Sequence, residues 1–276
     1  AEAGTAVVEP GITLDGLNKQ LKSTGLWYPV DISTGSRATL GGMTANNSCG
    51  SRSFKYGIMR DNVAAIDAFL ADGSAVRFGE ESAAGLLARN DDAPESRIFR
   101  ELLQIGEREA DEIRTRFPDV MRRVGGYNID ALIPEGDINL AHILIGSEGT
   151  LAVTDRVHLK LSPQPKEKVL GICHFPTFYQ AMDATQHLVK LNPTTAELVD
   201  RTMIDLAREI PMFRETVDRF VKGEPDALLL VEFADDDPAE PTIKMERGED
   251  GELEYLEFRT KAIILPEHAY PTKLIE

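Results

Sequence analysis

Gly41-Gly42, Asn46-Asn47-Ser48 and Gly50 stand close together in TLGGMTANNSCGSRSFKYG, residues 39–57. Glycines let main-chain N–H groups come close to a ligand, and amide and hydroxyl side chains add neutral donors. Such a set suits an anion, a diphosphate above all, held by a chain whose overall charge is negative. The stretch has neither GxxxxGK[ST] nor GxGxxG, and Lys55 is not placed as a Walker lysine. It is also longer than ordinary connections of about 4–6 residues. On residue types alone two readings stay open: a phosphate or cofactor cradle, and an irregular surface loop. GSEGTLAV, residues 146–153, poses the same choice, and its pattern favours a glycine turn between two strands.

Other reactive side chains are scattered. Cys49 has no tuning base beside it and reads as a small contact residue. His142 sits at the start of an apolar run, His158 alternates with Arg156 and Lys160 and reads as exposed, and His174 and His187 share no obvious carboxylate. Glu197 and Asp200 lie three apart in a short strand, which puts them on opposite faces and leaves Asp200 to cap the helix that follows. No metal site is expected, and no catalytic residue is assigned. The acidic stretch from Asp235 to Glu257 has no EF-hand spacing and reads as a solvated loop.

These residues need elements to hold them. TAVVEP reads as a strand, and LDGLNKQLKSTG as a short helix with Leu14, Leu17 and Leu21 on one face, Thr13 as N-cap and Gly25 as stop. NVAAIDAFLADGSAVRF is a hairpin turning at Asp72-Gly73. From Glu80 to Glu95 the chain turns polar and small, and residues 96–117 form one helix with Ile98, Leu102, Ile105 and Ile113 inward. AHILIG reads as a buried strand. The strand that follows the glycine turn places Val153, Val157, Leu159 and Leu161 on one face and Arg156, His158 and Lys160 on the other. Prolines 163 and 165 mark a boundary between domains 1–165 and 166–276. Beyond it, KVLGICHF, TFYQAMDATQHLVKL, TAELVD, RTMIDLAREI and DALLLVEFA alternate strand and helix. The expected class is α+β: a mainly antiparallel sheet flanked by helices, then a second, ferredoxin-like α+β portion.

Composition narrows function. A net charge of −16 over 276 residues excludes a nucleic-acid binder that works by neutralising phosphates. No apolar run is long enough to span a membrane. Two distant cysteines encode no disulfide framework and fit a reducing, cytoplasmic setting.

Taken in order, PVDISTGSRATLGGMTANNSCGSRSFKYG, LADG, GGYNIDAL and LIGSEGTLAVT resemble the FAD-binding domain of vanillyl-alcohol-oxidase-type oxidoreductases. The likeness is to the D-lactate and D-2-hydroxyglutarate dehydrogenase branch, and RRVGGYNIDAL and KVLGICHFPTFYQAMDATQHLVKLNPTTAELVDRTMI resemble large bacterial members that carry an iron–sulfur module. It runs from about Thr5 to Ala234. The resemblance implies FAD as cofactor, a small 2-hydroxy acid as substrate, and an electron acceptor or iron–sulfur module as partner. It places Gly41, Gly42 and Met43 toward the pyrophosphate and ribityl region, Asn46, Asn47, Cys49 and Gly50 along the flavin, and Tyr56 and Gly57 at the end of the loop. Pro29 and Asp31 would pass the adenosine half; Glu148, Gly149, Ala152 and Val153 would contact the cofactor from the far side; Tyr127 and Asn128 would lie near the isoalloxazine. The family's first subdomain and its histidine-rich motif have no counterpart here, so the chain is expected to be a segment of a longer flavoprotein. A flavin-binding or acidic interaction module without turnover is the other expectation.

Overall fold

The computed structural model describes residues 4–88, 91, 93–235, 246–247, 253–255 and 262–265. Contacts divide the chain into two units, Ala1–Pro163 and Gln164–Glu276.

In the first unit five strands form one sheet in the order Thr5–Val8, Val153–Lys160, Val63–Phe69, Ala75–Ser82, Asp137–Asn139, with every neighbouring pair antiparallel. Val63–Phe69 and Ala75–Ser82 make the expected hairpin, with Gly73 at a positive φ of 84°. One face buries Val8, Ile66, Val76, Phe78, Val157 and Leu159 against Leu14, Leu17, Leu40, Met43, Phe99 and Leu103 from the helices. Phe78 and Phe99 meet edge to face at 5.4 Å. Thr13 does cap the Leu14–Leu21 helix, accepting from the Gly16 N–H at 3.2 Å, and Gly25, in the left-handed region, ends the 3-10 turn Lys22–Thr24 that continues it.

Three local expectations are corrected. Residues 39–57 are largely helical rather than a loop: Leu40–Asn46 is a helix capped by Thr39, and Ser53–Tyr56 a further turn. Burial of Leu40 and Met43, together with the cap, outweighs the glycines' poor propensity. Ala141–Leu144 is a buried helical turn, not a strand; a short apolar run fits either by pattern. The long helix divides at Glu109 into Pro94–Arg108 and Ala110–Arg116. Its buried line also runs through Phe99, Leu103 and Gly106, because a Cβ on Gly106 would stand 1.9 Å from the Leu132 carbonyl oxygen. Within the Glu80–Glu95 stretch, Ala83–Ala88 is helical.

The 153–160 strand also departs from a single face. Val157 and Leu159 are buried but Val153 is 69% exposed. Asp67 pairs with Arg156 and Ala68 with Thr154, so Asp155 is bulged out and the alternation reverses.

The second unit pairs Glu167–Phe175 with Ala227–Asp235, and the latter with Thr195–Asp200, all antiparallel; Ala262–Leu265 adds a parallel edge. Cys173, Phe175, Leu229 and Val231 pack with Ala181 of the Phe178–Leu188 helix. Ile172 and Leu228 pack with Ile204 and Val217, from the Arg201–Glu209 and Pro211–Phe220 helices. Asp200 caps the first of these, accepting from the Met203 N–H at 2.8 Å, and Glu197 is exposed. Within the acidic stretch from Asp235 to Glu257, expected as a loop, Glu246–Arg247 and Leu253–Tyr255 pair as antiparallel strands, and most of the remainder lies outside the described residues. No described helix is long and apolar enough to cross a membrane.

Candidate functional site

The Leu40–Asn46 helix does not offer its first N–H groups to a ligand. Leu40 donates to Ile12 O at 2.8 Å, Gly41 to Pro10 O at 2.9 Å and Gly42 to Thr39 Oγ1 at 3.3 Å. Gly41 is a glycine because Pro10 lies against it, 2.6 Å from where a Cβ would be. Gly42 differs: it is exposed, and a Cβ there meets only Thr39 Oγ1.

The other end of this helix is where predicted residues converge. Asn47 takes the left-handed conformation that ends the helix. Its buried amide oxygen accepts from the Arg60 N–H at 3.1 Å, and its Nδ2 reaches Arg123 O at 3.4 Å. The 146–150 turn docks here: the Gly146 N–H donates to Thr44 O at 2.9 Å, the Glu148 N–H to Ala45 O at 3.0 Å, and Asn46 Nδ2 to Glu148 Oε1 at 3.1 Å. Asn128, buried, donates to Ile145 O at 2.8 Å and His142 O at 3.2 Å. Tyr127, 44% exposed, shares a hydrogen bond with Thr150 at 2.8 Å. Asn46, Tyr127, Glu148 and Gly149 therefore form one surface strip, with Asn47 and Asn128 buried beneath it.

The remaining predicted residues divide. Gly50 and Asp31 meet so closely that a Cβ on Gly50 would lie 1.6 Å from Asp31 O. The Asp31 carboxylate is satisfied by Ser51 Oγ at 2.9 Å, the Arg52 N–H at 3.1 Å and Arg52 Nη1 at 3.3 Å. Met43 and Pro29 are buried, Cys49 and Ala152 are half-buried, and Val153 is exposed. Tyr56 turns its ring to Trp27 at 5.5 Å, and Gly57 has a positive φ of 75° beside Asp61.

Sequence reasoning missed the charges under this strip. Asp130 pairs with Arg60 at 2.9 Å and Arg123 at 2.5 Å, and Arg60 also donates to Asn128 Oδ1 at 3.2 Å. Burial alone would raise the Asp130 carboxyl; hydrogen bonds and charge from Arg123 and Arg60 outweigh it and hold it below the usual range. Asp130 Oδ1 is buried without a partner. His142 lies nearby, and burial, then the Arg60 charge, pulls it down to about 4. The visible signal was Arg122-Arg123 ahead of GGYNID, but its partner Arg60 lies 70 residues from Asp130. His158 is half-buried rather than exposed, 2.8 Å from Asp67. His174 is buried between Ile172 O and the Lys222 N–H. Among the described residues no cluster of three or more acidic, histidine or cysteine side chains is arranged to hold a metal.

The strip is open and partly apolar. A Cβ at Gly125, Gly126 or Gly149 would meet nothing within 4 Å, and Val124, Tyr127, Leu151 and Val153 stay exposed around them.

Residues 1–79 match the FAD binding domain family, and residues 164–252 match the FAD linked oxidases, C-terminal domain. A D-2-hydroxyglutarate dehydrogenase of Pseudomonas putida is 31% identical over 245 residues, covering 87% of this chain and 24% of the relative. That of Escherichia coli is 31% identical over 247 residues, covering 86% and 24%. A D-lactate dehydrogenase of Archaeoglobus fulgidus is 26% identical over 246 residues, covering 89% and 43%. The chain thus spans about a quarter of the length of the first two. Among solved structures, an alkyldihydroxyacetonephosphate synthase shares the fold with a TM-score of 0.55 at 21% identity, covering 85% of this chain and 35% of that one.

Proposed function

We propose that this chain, which carries an FAD binding domain followed by the C-terminal domain of FAD linked oxidases, is the flavin-holding part of an enzyme that oxidises a D-2-hydroxy acid such as D-lactate or D-2-hydroxyglutarate. The observation that carries this reading is the likeness to D-2-hydroxyglutarate dehydrogenases over 245 residues, running through both domains. When bound, FAD supplies the acceptor for the hydride from the substrate's α-carbon.

The chain's own work is binding and orientation. The open faces of Gly42, Gly125, Gly126 and Gly149 admit a flat ring or a phosphate where any side chain would stand in the way. Asn46, Tyr127 and Thr150 supply neutral hydrogen bonds at the rim, and Asn47 and Asn128 fix the backbone beneath. The substrate's hydroxyl proton goes to a base outside this strip. An electron acceptor or iron–sulfur module, in a cytoplasmic setting, completes the proposal.

The second reading is a flavin-binding or acidic interaction module whose turnover needs further segments or a partner chain. The two are separated by one preparation. Protein incubated with FAD and desalted should keep flavin absorbance, and D-2-hydroxyglutarate or D-lactate should then bleach it under the first reading but not the second. A colourless product sinks both flavin readings. Gly42→Asp tests the exposed glycine face at the opposite end of the Leu40–Asn46 helix from the strip. An aspartate in the first turn of a helix is well tolerated, so helical content should hold while flavin is lost; full retention refutes the assignment.

A further inference from the structure

Arg122 and Arg123 are adjacent in sequence and opposite in fate. Arg123 is 15% exposed, paired with Asp130 and lying 4.4 Å from the Phe117 ring centre. Arg122 donates through Nη2 to the Gly50 carbonyl at 2.9 Å and lies 6.0 Å from the Phe54 ring centre. The strip's other arginines each have a carboxylate, Arg52 on Asp31 and Arg60 on Asp130. Among the described residues, Arg122 is the strip's arginine with no carboxylate in ion-pair contact.

Arg122 is exposed, and Arg214, which donates to Arg208 O, and Arg219, which lies over Phe220, likewise have no carboxylate in ion-pair contact among the described residues; what sets Arg122 apart is its place beside the strip. Arg122 is held by a neutral carbonyl and a ring, which fix its direction and leave its charge uncompensated. A guanidinium presents five N–H donors in a planar fork suited to two oxygens of one anion. One donor is committed to Gly50, on the segment that leads from the Asn46–Asn47 helix end to Phe54. With the side chain ordered in advance, less entropy is lost when an anion arrives.

We propose that Arg122 is the oxyanion-binding residue of this site, taking two oxygens of a carboxylate or of a diphosphate at the edge of the strip beside Gly50. This deepens the functional reading above and rests on it: the oxyanion is the carboxylate of the 2-hydroxy acid or the diphosphate of FAD.

The test compares wild type with Arg122→Gln and Arg122→Lys, and with Arg114→Gln, a surface arginine already paired with Asp111 and Glu135, as a control of equal charge change. If the diphosphate is the anion, Arg122→Gln weakens FAD binding about tenfold to a hundredfold. If the substrate is the anion, flavin retention is unchanged and the same loss falls on D-2-hydroxyglutarate binding, read as perturbation of the bound flavin spectrum. Arg122→Lys should recover only part of either loss, since a lysine cannot fork. A flavin-free arm separates this inference from the reading beneath it: inorganic diphosphate and D-2-hydroxyglutarate are each tested for raising the thermal midpoint of wild type and of Arg122→Gln. A rise in wild type that Arg122→Gln loses upholds the anion site even where FAD is not taken up. Equal behaviour of Arg122→Gln, Arg114→Gln and wild type in every arm overturns it.

Discussion

The two units satisfy their buried backbone differently. In the second, strands 167–175 and 227–235 pair residue for residue along their length, and the ladder itself consumes the N–H and carbonyl groups. In the first, irregular segments run between the elements, and asparagine side chains close them. Asn62 donates to Tyr56 O and Ile58 O, Asn128 to His142 O and Ile145 O, Asn139 to Val63 O and Ala64 O, and Asn47 to Arg123 O. A buried carbonyl costs free energy unless paired, so irregular backbone exists only where such partners are supplied. Functional geometry follows from this, because the strip is made of these held segments rather than of sheet.

The comparison breaks first where backbone touches backbone. Gly106→Ala drives a Cβ to within 1.9 Å of Leu132 O, and no side-chain rotation relieves that clash. We expect a loss of about 4 kcal/mol in denaturant unfolding. Gly149→Ala, with open space around it and a φ of 71°, should cost only about 1 kcal/mol of conformational strain. Similar losses at the two positions would mean that segment 129–132 does not lean on the Pro94–Arg108 helix as described.

Each unit also holds a histidine against its interior, and the pair separates by surroundings. His174 is buried and uses both ring nitrogens on backbone partners. His142 is half-buried, and desolvation, then the positive charge of Arg60, lowers its pKa from 6.5 to about 4. The unfolded chain therefore binds a proton that the folded chain refuses, and stability drops as pH falls from 6.5 toward 4. That shift is worth about 3 kcal/mol across the window. His142→Gln should flatten this part of the stability profile and leave neutral pH nearly unchanged; an unaltered slope refutes the assignment.

Asp130 acts in a lower window. Its carboxyl is held below 3.8, so its ion pairs contribute fully above that value and are lost as pH falls through the lowered one. Asp130→Asn should cost about 2 kcal/mol at neutral pH by leaving Arg60 and Arg123 without a counter-charge. The loss should shrink in acid, where the wild-type carboxyl also becomes neutral.

Much of the second unit was legible because its elements carry their own period: KVLGICHF, TAELVD and DALLLVEFA are strands and TFYQAMDATQHLVKL and RTMIDLAREI hold helices, whereas the Pro211–Phe220 helix and the Ala262–Leu265 edge strand were not read. In the first unit the hairpin and the Thr13 cap were equally plain. The Leu40–Asn46 helix was not, since its glycines obscure two buried positions and a threonine cap. HILIG was ambiguous between helix and strand, and the bulge at Asp155 could not be seen from one strand alone. Of the strip, the amides and the glycine turn were visible as residue types. The ion pairs beneath them were not, because Arg60 and Asp130 meet only after the chain between them has folded.

The smallest effect sharpens the comparison from the side of the second unit. Met203 and Ile204 are neighbours in the Arg201–Glu209 helix, one 57% exposed and the other 2%. Ile204 packs with Ile172, Val221 and Leu228, so Ile204→Ala should cost about 3 kcal/mol in transfer and cavity energy. Met203→Ser removes a side chain that is already largely in water, and stability should stay within about 0.5 kcal/mol. Unlike the irregular segments of the first unit, which side-chain amides hold, this helix is held mainly by one apolar line, with the Asp200 cap and the Arg201 and Arg208 ion pairs to Asp205 and Glu224 beside it. A loss above about 1.5 kcal/mol for Met203→Ser would show that its thioether is covered in solution and that the helix has a second packed face.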